Sequence, residues 1–402
     1  ALHIAPSSSG RVRRFAAAGS EHPLTPHAVG EVCGEISETL GPGPAPDVVI
    51  VFCSGDHVAS AGASLRAIDA LLSPRICLGA ASSGTLAGSR EVEGRASLSV
   101  WAARLGEAVE PVSFDVASVA DGVMIGGTSE LVDATGHLLL VGDPDGLPTS
   151  GLLANLALRA PELVVVGGLA PPVGVPPAPL LFEGTELRTG GAVGLRIADS
   201  VPMRTLVAQG CRPIGEPMVV TGAEGTMLTE LAGRSPLTRI RELAGQLEPD
   251  DRELAARGLH LGLVVDEHRV DFDRGDFVVR NVIGAETDTG SLAVGEQLAL
   301  GSIVQFQVRD PASAEAELAR LLKEAGLAAA ALVFTCVGRG AALFGEAHHD
   351  ATAVADVSGA GALAGMFCTA ELGPIAGMSK VHTYSAAVAL FGGAGPGPGR
   401  DG

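Results

Sequence analysis

The run Cys336-Val337-Gly338-Arg339-Gly340 leaves the end of an apolar stretch and leads toward a helical one. Its two glycines let the backbone approach a ligand closely, and its arginine can grip a carboxylate or phosphate through two parallel hydrogen bonds. In open α/β sheets, the crevice outside the carboxyl ends of strands is where ligands bind. The competing reading is a glycine-rich turn with a solvated arginine. Glu371 and His382 follow on the neighbouring loop and strand, so the fold is expected to bring a carboxylate and an imidazole near Arg339. Opposite charges so placed would select an amino-acid-like molecule or a small carboxylate, with Arg339 on its carboxylate and Glu371 on its amine. Arg280 interrupts an apolar run, and a buried guanidinium needs either an acid such as Glu286 or an anionic ligand. Cys336 or Cys53 would be a nucleophile beside a base, against the default of an inert buried thiol. His348-His349-Asp350 has metal-ligand types, but adjacent helical side chains diverge by about 100°, so it reads as an exposed helix start. No G-x-S-x-G, G-K-[ST], H-E-x-x-H or EF-hand pattern occurs, and no catalytic or metal residue is assigned.

What positions these groups is a pattern written twice. Near the start come the apolar strand 48–53, a helical stretch from Ala61 to Leu72, the segment from Ile76 to Gly84 and a strand from Ser97 to Arg104. Near the end come 331–336, a helical stretch near 351–357, the segment from Leu363 to Glu371 and a strand from Val381 to Leu390. In each copy one apolar strand ends at Cys and the next ends in Gly followed by small hydroxyl or thiol residues. Two related halves with equivalent sites are expected. Ser82 and Ser83 then occupy the first half's version of the site, where they would donate to a ligand or cap a turn.

Elsewhere the periodicity predicts helices over 26–40, 149–159, 236–244 and 311–325, the last two marked by Ser235 or Asp310 before a proline and by a glycine after the end. Strands are expected at 112–118, 122–126, 138–142, 163–167, 180–183, 191–197 and 203–208. Others are expected at 217–221, 226–231, 259–265, 276–283, 291–294 and 302–309. Five prolines between Gly168 and Pro179 make that segment a loop. The expected architecture is mixed α/β (α+β), with mixed sheets covered by helices in two tandem related domains. These are a leading strand or tail at 1–25, domains at 26–209 and 210–391, and a disordered tail at 392–402.

Composition narrows the function classes. Hydrophobic residues at 47% and charged residues at 18% describe a folded globular chain. A net charge of −19 repels a phosphate backbone, so nucleic acid is not an expected partner. With only Lys323 and Lys380 as lysines, no polybasic membrane patch exists, and no apolar run reaches the roughly 20 residues of a membrane span. Six cysteines without a C-x-x-C pair fit a reducing cytosol, and the arginines at 11, 13 and 14 are not followed by a signal-peptide core.

Several passages together resemble FIST proteins: Gly191 to Leu195, Gln209 to Pro217, Val220 to Gly225, Glu230 to Leu237, Phe334 to Gly340, Gly365 to Pro374 and His382 to Ser385. The resemblance runs over roughly residues 15 to 391, with Ala370 where the family has Gly before Glu371 and Thr85 where its first half has Glu. It implies an N-terminal and a C-terminal FIST region forming a sensory module of signal transduction that binds small ligands such as amino acids. Cys336, Gly338, Arg339, Gly340, Glu371 and His382 would line the pocket. No kinase, cyclase or methyl-accepting segment is attached, so a stand-alone cytoplasmic sensor with a separate signalling partner is expected. Haem binding with a nitric oxide response, as in some bacterial members, is an alternative that would use a histidine such as His382. A protein-interaction scaffold and a Cys336-dependent enzyme are the others.

Overall fold

Three stretches of this chain build the same arrangement of strands and helices. The computed structural model describes residues 13–119, 122–269, 271–272 and 274–392, so the expected tail, apart from Gly392, lies outside the described residues. The first unit runs β1 (Arg14–Ser20), α1 (Thr25–Leu40), β2 (Val48–Ser54), α2 (Ala61–Leu72), β3 (Ile76–Ala81), the hairpin β4 (Gly84–Ala87) and β5 (Arg90–Glu93), and β6 (Ser97–Arg104). β2 and β3 are parallel, β6 is antiparallel to β2, and β1 pairs outside β6.

The second unit has β7 (Val109–Phe114), the ribbon β8 (Val116–Val119) and β9 (Gly122–Ile125), β10 (Gly136–Gly142) and α3 (Thr149–Arg159). It continues through β11 (Leu163–Leu169), the hairpin β12 (Leu181–Glu183) and β13 (Glu186–Arg188), and β14 (Ala192–Ile197). The third opens with β15 (Met203–Gln209) and is interrupted by β16 (Cys211–Pro213), β17 (Met218–Glu224), β18 (Met227–Leu231), α4 (Pro236–Gln246), α5 (Pro249–Arg257), β19 (Leu259–Val264), β20 (Phe277–Ala285), β21 (Leu292–Val294) and β22 (Ile303–Arg309). It resumes with α6 (Pro311–Ala325), β23 (Ala330–Cys336), α7 (Gly340–Phe344), α8 (His349–Ser358) and β24 (Ala362–Cys368), then the hairpin β25 (Ala370–Ile375) and β26 (Met378–His382), and β27 (Ser385–Phe391).

One rule orders the three sheets: β1-β6-β2-β3-β12-β13, β7-β14-β10-β11-β25-β26 and β15-β27-β23-β24-β4-β5. Each is completed by a hairpin from another unit. The first unit's hairpin joins the third sheet, the third's joins the second, and the second's joins the first. The middle copy of the pattern adds to the two visible in the sequence. The parallel pair of each unit carries one glycine at a fixed register: Gly79 opposite Val51, Gly167 opposite Leu140 and Gly365 opposite Val333. A Cβ on any of the three would fall well inside contact distance of the partner's carbonyl oxygen.

β2, β3, β23, β24 and β27 are buried at every position, which is why they read as unbroken apolar runs. One face of all three sheets meets in a shared core containing Phe52, Trp101, Phe334 and Phe391. Helices cover the other faces, α1 and α2 on the first sheet, α3 on the second, and α6 and α8 on the third. Asp310 caps α6 by accepting from the Ser313 N–H, with Pro311 at the first turn. The inserted strands close on themselves in the order β22-β17-β18-β21-β20-β19 and back to β22, a small barrel filled by Leu228, Leu261, Phe306 and neighbours. Leu237, Ile240 and Leu243 of α4 pack on it as the periodicity predicts. Among the described residues no helix is long and apolar enough to cross a membrane.

Candidate functional site

β23 and β24 end side by side at Cys336 and Cys368, and the chain turns through Gly338 into Arg339 just before α7. The Arg339 side chain is fully buried. Its Nε and Nη2 each donate to one oxygen of Asp350 at 2.8 Å, a two-pronged pair reaching the first turn of α8. Asp350 also accepts from Thr335 Oγ1 at 2.5 Å and lies 3.0 Å from His349 Nδ1, whose ring stacks on Phe344. Burial works against both charges, yet their mutual attraction prevails: the Arg339 pKa is raised and the Asp350 carboxyl is held well below the usual carboxylate range. The exposed start expected at 348–350 is therefore corrected, because Asp350 is the buried counter-charge of Arg339. Among the described residues no group of three or more His, Cys, Asp or Glu could hold a metal.

Two acids of β5 hold the helices around this pair. Glu91 Oε1 accepts from the Ala351 N–H at 2.8 Å, and Glu93 Oε1 accepts from the Ala341 N–H at 2.9 Å. Gly340 is glycine because a Cβ there would run into the Glu93 carboxylate. Gly338 likewise lets the Tyr384 ring lie over it, with ring carbons 3.1 Å from where a Cβ would stand.

Glu371, on β25, is fully buried. Its Oε2 accepts from the Ser385 N–H at 3.1 Å and the Ser385 hydroxyl at 2.7 Å. Burial pushes its pKa up to about 8 against Ser385, Arg339 and the Cys336 thiol, which favours the acid form at neutral pH. Burial, and then Glu371, push the Cys336 thiol up as well. Cys53 is pushed to about 12 by burial. Neither thiol offers a thiolate at neutral pH. Among the described residues, Arg339 Nη1 and Glu371 Oε1 have no hydrogen-bond partner.

The repeat gives this arrangement two internal controls. The ends of the first strands place Ser54, Asp143 and Cys336 at one position, and the hairpin residues paired just past the repeated glycine are Thr85, Leu181 and Glu371. In the first unit Ser54 and Thr85 both lie 2.7 Å from Ser97 Oγ, and Ser54 donates to the Arg95 carbonyl. In the second, Asp143 is saturated by the N–H groups of Asp145, Gly146 and Gly190. The compared groups of the first two units are all paired, but His57, which by the same register stands where Arg339 does, also has a buried Nε2 without a partner; the third unit differs in leaving an unpaired atom on its hairpin residue, Glu371, as well.

The other expected residues fall outside this cluster. His382 pairs with Glu371 in register, but its Nε2 lies 3.1 Å from the Gly373 carbonyl, and burial lowers its pKa to about 4. Arg280 is buried in the barrel, where its acid is Glu296 rather than Glu286, and it also donates to the Val381 carbonyl at 3.1 Å. Ser82 is buried and donates to the Phe367 carbonyl at 2.7 Å, while Ser83 is exposed.

A cavity of about 260 Å³ lies where the barrel meets the third unit, with Arg257, His260, Arg309, Leu343 and Tyr384 among its lining. The Tyr384 ring packs against His260 at 4.6 Å between centroids and under the Arg309 guanidinium at 4.6 Å, and Arg309 donates to the Gly338 carbonyl. The sequence signals for Tyr384 were its uniqueness as the chain's tyrosine and its place between His382 and Ser385.

Models of the FIST N domain and the FIST C domain match residues 47–234 and 237–374. An uncharacterised protein of Mycobacterium tuberculosis is 37% identical over 379 residues, covering 92% of this chain and 98% of that protein. An uncharacterised protein of Mycobacterium bovis is 38% identical over 368 residues, covering 90% and 94%. FIST domains are associated with sensing in signal transduction. With both regions present in tandem over most of its length, the chain belongs to the FIST family.

Proposed function

We propose that this protein is a cytoplasmic sensory protein that binds a small carboxylate and hands its signal to a separate protein partner. The reading is carried by one observation: at the matching positions the third unit leaves both Arg339 Nη1 and Glu371 Oε1 buried and unpaired, where the first leaves only the His57 imidazole so and the second neither. A buried polar atom without a partner costs about 1–3 kcal/mol, a cost that a ligand group can remove. With Glu371 in its acid form and Oε2 already accepting twice, both open atoms act as donors. Two donors on groups near enough to interact electrostatically suit a ligand carboxylate, and an amino-acid-like ligand fits through the same group. An amine on Glu371 would need the ionised form that burial disfavours.

Thermal shift and titration calorimetry against acetate, succinate, glutamate, the other amino acids and haem test this. A carboxylate at about 100 times its dissociation constant should add roughly 2.7 kcal/mol of stability; Glu371→Gln, which keeps a donor there, should retain most of it and Glu371→Leu should lose it. Silence from every carboxylate, or a Soret band from haem as the sole response, would reject the reading.

A further inference from the structure

The cavity between the barrel and the third unit runs against the charge of the molecule. On a chain of net charge −19 its lining holds Arg257 and Arg309 and no Asp or Glu. His260, 7% exposed, presents a buried Nδ1 without a partner among the described residues, and Arg309 Nε is unpartnered in the same way. Between this cavity and the Arg339–Glu371 cluster stands Tyr384. A Cβ on Gly210 would run into the Tyr384 carbonyl oxygen and lie 3.3 Å from Arg339 Nη1, so the guanidinium and the Tyr384 backbone both border Gly210. Ser385, the partner of Glu371, is the next residue. Tyr384 has φ 58°, a left-handed conformation that a bulky residue adopts at a cost and that marks sites under functional constraint. Its ring stacks on two residues that line the cavity, so a ligand entering there competes for those contacts.

Resting on the carboxylate-binding reading above, we infer that the ligand is a short dicarboxylate, one end held in this vestibule by Arg309 and His260, the other by Arg339 and Glu371, with Tyr384 as the gate between them. The volume suits a molecule smaller than a drug-sized ligand, and open donors at both places, Arg309 in the vestibule and Arg339 Nη1 behind Tyr384, suit a carboxylate at each end.

Because Tyr384 is the single tyrosine, 3-fluorotyrosine labelling gives one fluorine resonance that reports the gate. Succinate and glutarate should shift it and bind at least about tenfold more tightly than acetate. Arg309→Gln should erase that preference while acetate binding persists. Leu343→Trp, a half-buried position on α7 that would narrow the vestibule, should weaken succinate and glutarate more than acetate, and it serves if Arg309→Gln lowers the melting temperature. Equal affinity for acetate and the dicarboxylates, unaffected by both variants, overturns the vestibule and leaves the carboxylate site standing. No resonance shift and no binding heat with any of the three probes overturns both.

Discussion

Replacing Asp350 with Asn would keep the shape of the residue that holds Arg339 and remove its charge. Asp350 accepts two hydrogen bonds from Arg339 and one from Thr335, at 2.5 to 2.8 Å, with both partners of the ion pair essentially out of solvent. After the change the guanidinium faces only Glu371, which burial keeps uncharged. Removing one partner of a buried pair costs about 3–5 kcal/mol, because the remaining charge is left without compensation. Arg339→Met combined with Asp350→Leu removes the desolvation cost together with the attraction, and should return to within about 1 kcal/mol of the wild type or exceed it. Urea unfolding followed through Trp101, the single tryptophan and part of the shared core, reads both. With m of about 3 kcal/mol/M, Asp350→Asn should lower the midpoint by about 1 M or more. Since the native carboxyl is depressed, its contribution is present above the unfolded value and lost only as pH falls through the native one, so the difference should persist down to about pH 4. A loss below about 1 kcal/mol, or a double variant no better than the single, would refute the assignment of Asp350 as a buried counter-charge.

Burial raises Glu91 and Glu317 to about 7 and Glu371 upward as well, so the native state keeps protons that the unfolded chain releases near 4.5. Stability should therefore fall between pH 5 and 8, by up to about 1.4 kcal/mol per pH unit for each group, and Glu371→Gln should flatten the profile; identical slopes in variant and wild type count against it. Gly79→Ala, Gly167→Ala and Gly365→Ala should each cost about 1–3 kcal/mol or more through the crowded carbonyl opposite, whereas Gly361→Ala, which meets nothing within 4 Å, should stay within about 0.5 kcal/mol. Comparable urea midpoints for the two classes would remove the structural meaning given to the repeated glycine.

The sequence was most legible where local signals agree. Helices at 61–72, 149–159 and 311–325 match observed elements, the last of them because spacing and end signals point the same way. The middle unit was hidden because β10 ends at Gly142 without the cysteine that marked the other two strands, and because a proline-rich stretch separates β11 from β12. Arg339 and Glu371 were legible as charged residues at strand ends. Their partners were not. Asp350 sits in a polar run that reads as a solvated helix start, and Glu91 and Glu93 alternate with Val92 as on an open hairpin. They are drawn to the site only because β4–β5 docks beside α7 and α8 from hundreds of residues away. Tyr384 and Arg309 gain their meaning from the barrel meeting the third unit, a contact no local pattern encodes.

The circular exchange of hairpins gives this molecule a high contact order. On a ribosome, β4 and β5 emerge early, yet the strand they complete is made on the order of 280 residues later, tens of seconds at about 5–20 residues per second. β11 likewise waits for β25. Two sheet edges therefore stay open until β24 and β25 are made, and a chain terminated before them would keep both open as templates for intermolecular pairing.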